Sequence, residues 1–166
     1  MSGAVRLAAD RAGSAAAEMA LALPLLLVLL FGTFELGNFF LSEHVVQKSV
    51  RDAARYAARL PMTDYPSCAP TTTAEAQIQR VARTGRPDAG GAIQRLRGWS
   101  SDAMTSVLLT CDTSGTYTGI YTDFPGGVPV VTVSASVPYP TLFGSMGLPT
   151  PSLTLNAKSQ SAVFGA

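Results

Sequence analysis

The sequence predicts an α+β fold in which one long N-terminal helix packs on a small antiparallel β-sheet head. Three observations predict it. A nearly uncharged apolar segment stands near the N-terminus, and it continues without a break into an amphipathic helical pattern. The rest of the chain is polar, rich in Thr, Ser, Gly and Pro, and contains short stretches in which apolar and polar residues alternate. Such alternation is typical of half-buried strands.

The apolar segment is long enough to cross a membrane. The chain has 166 residues, of which 47% are hydrophobic and only 14% charged, against about 25% charged in typical soluble domains. Sixteen uncharged residues separate Glu18 from Glu35, and the run Leu36 to Leu41 is also uncharged. A spanning helix needs about 20 residues, so residues 14–41 are predicted to span. The two glutamates should then lie near its boundaries, because a carboxylate at the centre costs about 3 kcal/mol.

Basic residues predict the orientation of this span. Arg6 and Arg11 precede it and favour a cytoplasmic N-terminus, which makes the chain a single-pass protein with its C-terminal head on the other side. Arg51 and Arg55, with the other basic residues that follow the span, oppose this orientation.

Residues 42–60 are predicted to extend the same helix as an amphipathic one. Apolar residues recur every three or four positions, at Val46, Val50, Ala53, Ala57 and Leu60, which is the helical period. Pro61 should end the helix, and Pro24 should remove one hydrogen bond and kink or loosen it. A rod from residue 14 to residue 60 is about 70 Å long. A head of this size cannot bury all of it, so the first half must lie in lipid or against copies of itself.

Residues 61–166 are predicted to form the head. A short helix should begin at Thr72, which has capping-box spacing to Glu75, and end at Gly85. Three strands should follow and form an antiparallel meander covered by the amphipathic helix. The residues predicted to face inward are Val107, Leu109 and Cys111; Val131, Val133, Ala135 and Val137; and Leu153, Leu155 and Ala157. Pro138 and Pro140 should stop the second strand.

Two apolar groups in the predicted loops leave a choice open. Leu142, Phe143 and Met146 either contact a partner subunit or tuck under the sheet, and the same choice holds for Tyr117, Tyr121 and Phe124.

The composition argues against several function classes. With a net charge of +1, no global field draws the chain to nucleic acid. The single histidine, His44, lies beside the apolar segment, no Ser stands in GxSxG, and the carboxylates of the head are unpaired, so we predict no enzyme. Two cysteines and one histidine cannot supply the usual ligands of a metal site, and no cofactor is predicted. If the head lies outside the cytoplasm, Cys68 and Cys111 can pair, closing a loop of about 44 residues worth about 4 kcal/mol.

The N-terminal third also carries a resemblance. The stretch GSAAAEMALALPLLLVLLFGTFELGNFF, followed by QKSVRDAARYAARL, resembles the TadE family of minor pseudopilins from Tad (Flp) pilus systems. A basic leader, a glycine, four small residues, a glutamate and a long apolar helix form the arrangement of type IV prepilins. Pro24, the Glu35-Leu36-Gly37 triplet and the Ala-Arg-Tyr-Ala-Ala element at residues 54–58 narrow the resemblance to TadE-like proteins.

The resemblance implies a non-catalytic role in pilus assembly and a pseudopilin-like lollipop architecture. Prepilin peptidase would cut between Gly13 and Ser14 and remove the cytoplasmic leader, residues 1–13. Glu18 would then neutralise the new amine at residue 14 of a neighbouring subunit in the bilayer, since an unpaired charge there is strongly unfavourable. Pro24, Glu35 and Gly37 would take part in subunit packing. The partners implied are pilin-like subunits, the Tad assembly machinery and the lipid of a bacterial inner membrane, with the head in the periplasm.

Blander interpretations remain for these residues. Glu18 is also the acidic residue that a helix dipole favours near an N-terminus, Glu35 also suits a membrane boundary without any function, and Gly37 allows close helix contact or is merely tolerated. Two other functions also remain: a single-span, membrane-anchored binding module, and a secreted enzyme released by signal cleavage.

Overall fold

A computed structural model of the chain describes residues 11–88, 93–115, 117–122, 126–145, 147, 149 and 152–165. The predictions for leader residues 1–10, for Phe124 and for Met146 therefore lie outside the described residues. The contacts within the chain divide it into two units, Met1–Asn38 and Phe39–Ala166.

The longest element is a single helix, α1, which spans Arg11–Arg59 and continues through Pro24. Leu and Ala dominate its first part, and both are strong helix formers. Pro24 has no N–H to donate to the carbonyl of Ala20, so one helical hydrogen bond is missing there. The helix ends before Pro61, as predicted, and the uninterrupted helix across the apolar and amphipathic segments is confirmed.

The second unit contains a three-stranded antiparallel sheet in the order β1-β2-β3. The strands span Thr105–Asp112, Val128–Pro138 and Thr154–Ala162. Val107 pairs with Val133, and Ala135 pairs with Ala157, so the inward residues of the three strands share one face. The predicted meander is therefore confirmed.

One inward residue was predicted wrongly. Leu155 is 2% exposed, but Leu153 is 46% exposed. The pairing of β2 with β3 ends at Pro138 and Thr154, so Leu153 stands beyond the last pair, at the margin of the sheet. The alternation of apolar and polar residues assigns Leu153 to the inner face of the sheet. It does not say how far along the strand that face is covered by other residues.

The predicted helix of the head is α2, Thr72–Thr84. Its N-cap is Thr71 and not Thr72, which corrects the prediction by one residue. Thr71 has an extended backbone and its hydroxyl accepts a hydrogen bond from the Ala74 amide, whereas Thr72 is already helical. Gly85 ends the helix as predicted, in the left-handed conformation (φ 84°) that glycine adopts without strain.

The core of the second unit lies between the sheet and the amphipathic half of α1. The helix contributes Val46, Val50, Ala53 and Ala57, all at most 1% exposed, and the central strand contributes Val131, Val133 and Val137 at 0%. Ile78 of α2, Tyr65 and Trp99 complete the same cluster. This packing confirms that the apolar stripe of residues 42–60 covers the sheet, and it means that half of α1 is a core helix.

Cys68 and Cys111 form a disulfide, with their Cα atoms 6.0 Å apart. It joins a short 3-10 turn, Pro66–Cys68, to the end of β1. Ser67 and Cys68 both have positive φ angles (54° and 61°), a region that costs non-glycine residues energy. The disulfide therefore ties to β1 an irregular segment whose own turn is closed by the hydrogen bond from the Ala69 amide to the Pro66 carbonyl (3.2 Å).

Candidate functional site: the exposed apolar helix

The large apolar side chains in the first part of α1 are all exposed, in contrast to those of the second part. They range from 41% exposed at Leu27 to 81% at Leu21, and they cover every face of the helix. The described helix Gly13–Arg59 is long and apolar enough to cross a membrane. A helix that is apolar all round is stable only in lipid or against other apolar helices.

The two glutamates of this segment are separated by nearly the thickness of a bilayer core. Glu18 and Glu35 are 17 residues apart, which corresponds to about 26 Å along the axis of a helix, against about 30 Å for the hydrocarbon core. At about 100° per residue their side chains point to faces about 100° apart. Glu18 is exposed and Glu35 is half-buried. They suit opposite boundaries and cannot serve one site on one face.

Ser14 and Glu18 lie one turn apart on the same side of the helix. Both are exposed in the described chain, and an i,i+4 pair brings side chains within about 6 Å. An amine at residue 14 would lie one helical turn from Glu18. It would be within reach of the Glu18 carboxylate of its own helix or of an adjacent helix. The geometry thus allows the charge neutralisation that the resemblance implies, whereas the described helix α1 begins at Arg11 and has no acidic residue in its first turn, where a helix dipole would favour one.

The predicted cleavage site lies within helical backbone. Gly13 and Ser14 belong to α1, and a Cβ added to Gly13 would meet no atom within 4 Å. A protease that reads an extended peptide would have to unwind the first turn of the helix. Glycine favours this, because it is about 1 kcal/mol less stable than alanine in a helix interior.

Gly37 is not required by the packing of its own chain. A Cβ at this position, or at Gly32, would contact nothing within 4 Å. Neither glycine is therefore explained by a close approach within the described chain. Small residues on an exposed apolar helix allow close helix–helix contact in a membrane, although the geometry fits mere tolerance equally well.

The head offers few groups with unusual acid–base chemistry. Hydrogen bonds from Ser114, and then from Tyr117, lower the pKa of Asp112, and the bond to Asp112 raises the pKa of Tyr117. Both groups are at the surface, where the Asp112 carboxylate accepts hydrogen bonds from the amide and the hydroxyl of Ser114 and so stabilises a turn. His44 is exposed on α1. Among the residues that the structure describes, no three His, Cys, Asp or Glu side chains come close enough to hold a metal ion.

The outer face of the sheet carries an open groove with a mixed polar and apolar lining. It is lined by Ser106, Ser134, Ser136, Asn156 and Lys158, together with Met104, Ala103, Ala135 and Ala157. The groove holds one cation, Lys158, and the hydroxyl groups of three serines. It could hold a polar ligand, and it was not predicted, because only the register of the strands brings these residues together.

Another arrangement that was not predicted lies where α1 enters the packed unit. The ring of Phe39 packs edge-to-face on Tyr139, with centroids 5.2 Å apart, and on Phe40 at 6.0 Å. Aromatic residues at the end of an apolar segment were a signal for such a contact. The partner at Tyr139 could not be found from sequence.

Fold and segment together define a class of protein: a chain with one helix apolar enough for single-pass membrane anchoring, whose continuation is the core helix of a small α+β unit. Within that class, the model of the TadE-like protein family matches residues 13–55. The match covers α1 from Gly13 to Arg55 and confirms the resemblance that these residues carry. It implies a role related to the Tad pilus. Searches of curated proteins and of solved structures found no significant match to the chain.

Proposed function

We propose that the chain is a non-catalytic, TadE-like minor pseudopilin that takes part in assembly of the Tad pilus at the bacterial inner membrane. Residues 14–41 span the membrane, the N-terminus is cytoplasmic, and residues 61–166 form the periplasmic head. The observation that carries the proposal is the exposed apolar half of α1, which begins with the Gly13, Ser14 and Glu18 spacing and falls inside the family match.

Assembly follows from the chemistry of this segment. Prepilin peptidase removes residues 1–13 and leaves a cationic amine at Ser14. In the bilayer this amine needs a counter-charge, and Glu18 of a neighbouring pilin-like subunit provides it as the helices pack. Pro24, Glu35 and Gly37 shape the packing surface. The disulfide between Cys68 and Cys111 supports a periplasmic head, because disulfides persist in oxidising compartments.

N-terminal sequencing of the mature protein tests the proposal. We expect Ser14 at the terminus. An intact Met1 would favour a membrane-anchored binding module, for which the groove on the outer face of the sheet is the supporting observation. A terminus well beyond Phe31 would favour a secreted enzyme.

Gly13→Val should leave an uncleaved precursor on a gel. Gly32→Ala is the matched control, because its Cβ also meets no atom and it lies away from the cut. Normal processing of Gly13→Val would contradict the proposed site.

Glu18→Gln tests the charge separately from the shape of the side chain. The variant should insert in the membrane and be processed, but piliation should fall sharply. Wild-type piliation would remove Glu18 from the mechanism while leaving the processing step intact.

A further inference from the structure

Four described apolar side chains of the packed unit are exposed, two of them on α1 and two on the head. Phe40 is 51% exposed and Leu41 69%, on the helix; Leu142 is 42% exposed and Leu153 46%, on the head. We call these four residues the apolar rim. We propose that the apolar rim is a lipid-contact site, through which the head rests on the bilayer surface where α1 leaves it.

Contacts made by Phe39 and Tyr139 set the two halves of the rim at one level along α1, although Phe40 and Leu41 point about 100° and 200° away from Phe39 around the helix. Phe39, one residue before Phe40, packs on Tyr139 at 5.2 Å between ring centroids. The amide of Tyr139 donates to the Leu153 carbonyl at 2.8 Å. The short helix α3, Leu142–Ser145, begins three residues after Tyr139. The head half of the rim is therefore anchored to the helix at the level of Phe39.

That level is the end of the apolar segment. Leu41 is followed by Ser42 and Glu43, which begin the amphipathic part. If residues 14–41 span the membrane, Phe39 lies at the interface between acyl chains and headgroups, where the amphipathic ring of its neighbour Tyr139 is favoured. Tyr139 contacts Phe39 and so shares this depth.

The charge distribution of the head favours lipid at this site. No Asp, Glu, Lys or Arg stands between Asp123 and Lys158 in the sequence, so the segment that holds Leu142 and Leu153 brings no charge to the bilayer. A charge buried beside acyl chains would be costly, whereas exposed leucines are stabilised when their apolar surface is removed from water. Because Phe40 and Leu41 are the last two residues of the apolar span, the proposed occupant is phospholipid rather than a second protein.

This inference rests on the membrane anchoring in the proposed function, and its consequence is a fixed height of the head. With both α1 and the rim in contact with lipid, the head has two points of attachment at the membrane. Rotation about the end of the span is then restricted, which would present the head to partner subunits in one orientation.

Tryptophan quenching in vesicles tests the site. The full chain is reconstituted into phosphatidylcholine vesicles with or without bromine atoms on the acyl chains, and Leu142→Trp provides the reporter. The native Trp99 is 0% exposed, and its signal is subtracted with the wild-type chain. We expect brominated lipid to remove about half of the fluorescence of the reporter at position 142, as for a group held about 5–10 Å into the interface.

Two further variants make the result decisive. Leu108→Trp is the matched control: Leu108 is 59% exposed on the same sheet but opposite Thr132, about 24 Å along β2 from Tyr139. This control reporter should not be quenched. Leu27→Trp, in the middle of the span, should be quenched strongly.

Each outcome separates the two proposals. Equal quenching of the head reporter and the control reporter, with a quenched reporter in the span, overturns the lipid contact alone. An unquenched reporter in the span overturns the membrane span and the lipid contact together. A head reporter that is shielded both from lipid bromine and from aqueous acrylamide is covered by protein, which also overturns the proposal.

Discussion

The phenolic hydroxyl of Tyr65 donates a hydrogen bond of 2.6 Å to the carbonyl of Ala57, in the last turn of α1. The last carbonyls of a helix have no i+4 amide to accept from. Ala57 receives instead the Leu60 amide at 3.2 Å and this phenol. Tyr65 is 1% exposed, so a residue after the helix fastens the helix end into the core.

This bond predicts an alkaline limit to stability. Burial, and then the Asp64 carboxylate, raises the pKa of Tyr65 above its usual value of about 10. A raised folded-state pKa contributes stability that is complete below about pH 10 and is lost as the pH rises toward the folded value. Tyr65→Phe should cost about 1 kcal/mol at neutral pH. It should also weaken the decline above about pH 10, measured by urea unfolding of the full chain in detergent micelles. Identical alkaline declines in the two proteins would contradict this.

Removal of the disulfide should destabilise the head substantially. The bridge between Cys68 and Cys111 spans 43 positions, which predicts a loss of about 4 kcal/mol in the chain-entropy model for the double variant Cys68→Ala, Cys111→Ala. Wild-type protein unfolded in the presence of a reductant is the control and should match the double variant. If the reductant leaves the urea midpoint unchanged, the bridge does not stabilise the fold in solution.

Ile78 and Ile93 form a matched pair for testing the core. Ile78 lies on α2 and is 0% exposed within the core cluster, whereas Ile93 is 88% exposed. Ile78→Ala should cost about 2–5 kcal/mol, because it removes buried methyl groups and leaves a cavity. Ile93→Ala should change the free energy of unfolding by less than about 0.5 kcal/mol. Similar losses from both variants would show that the core is not where the structure has it.

Substitutions at Gly85 and Gly119 test whether the ion pair between Arg95 and Asp52 holds the loop before Trp99. Both have positive φ angles, 84° and 72°, but a Cβ at Gly85 would lie 2.6 Å from Nη2 of Arg95, whereas one at Gly119 would meet nothing. The Arg95 guanidinium binds Asp52 of α1 at 2.8 Å. Gly119→Ala should cost about 1 kcal/mol from backbone strain alone.

Gly85→Ala should cost more than Gly119→Ala, because it also pushes Arg95 away from Asp52. In an Asp52→Asn background this excess should shrink, which a double-mutant cycle by urea unfolding measures. An excess that stays the same in both backgrounds would show that the ion pair does not transmit the clash.

Most of the regular structure follows from local sequence patterns. The helical period continues from the apolar segment through Ala57, and the alternation along Val131, Val133 and Val137 assigns the buried face of β2. These patterns depend on which side of a helix or strand faces away from water. The spacing of neighbouring apolar residues already shows that side. The same holds for the candidate site, since the spacing of Gly13, Ser14 and Glu18 and the uncharged span are linear features.

The misplaced or missed features depend on residues far apart in the chain. Leu153 fits the period of its strand but lies past the last ladder pair, and Thr72 fits a capping box although Thr71 makes the cap. Trp99 and Tyr65 lie at the centre of the core, although they belong to irregular segments without a period.

By itself, the sequence determined that one apolar helix continues into the head, that three strands form its sheet, and that two cysteines are available to pair. Tertiary structure alone decided that Cys68 meets Cys111, that Tyr65 closes the end of α1, and that Tyr139 lies against Phe39. The physical reason is that the period of the apolar residues shows only which side of a helix or strand faces away from water. Contacts between distant segments depend on how those elements pack, and no single stretch of sequence encodes that packing.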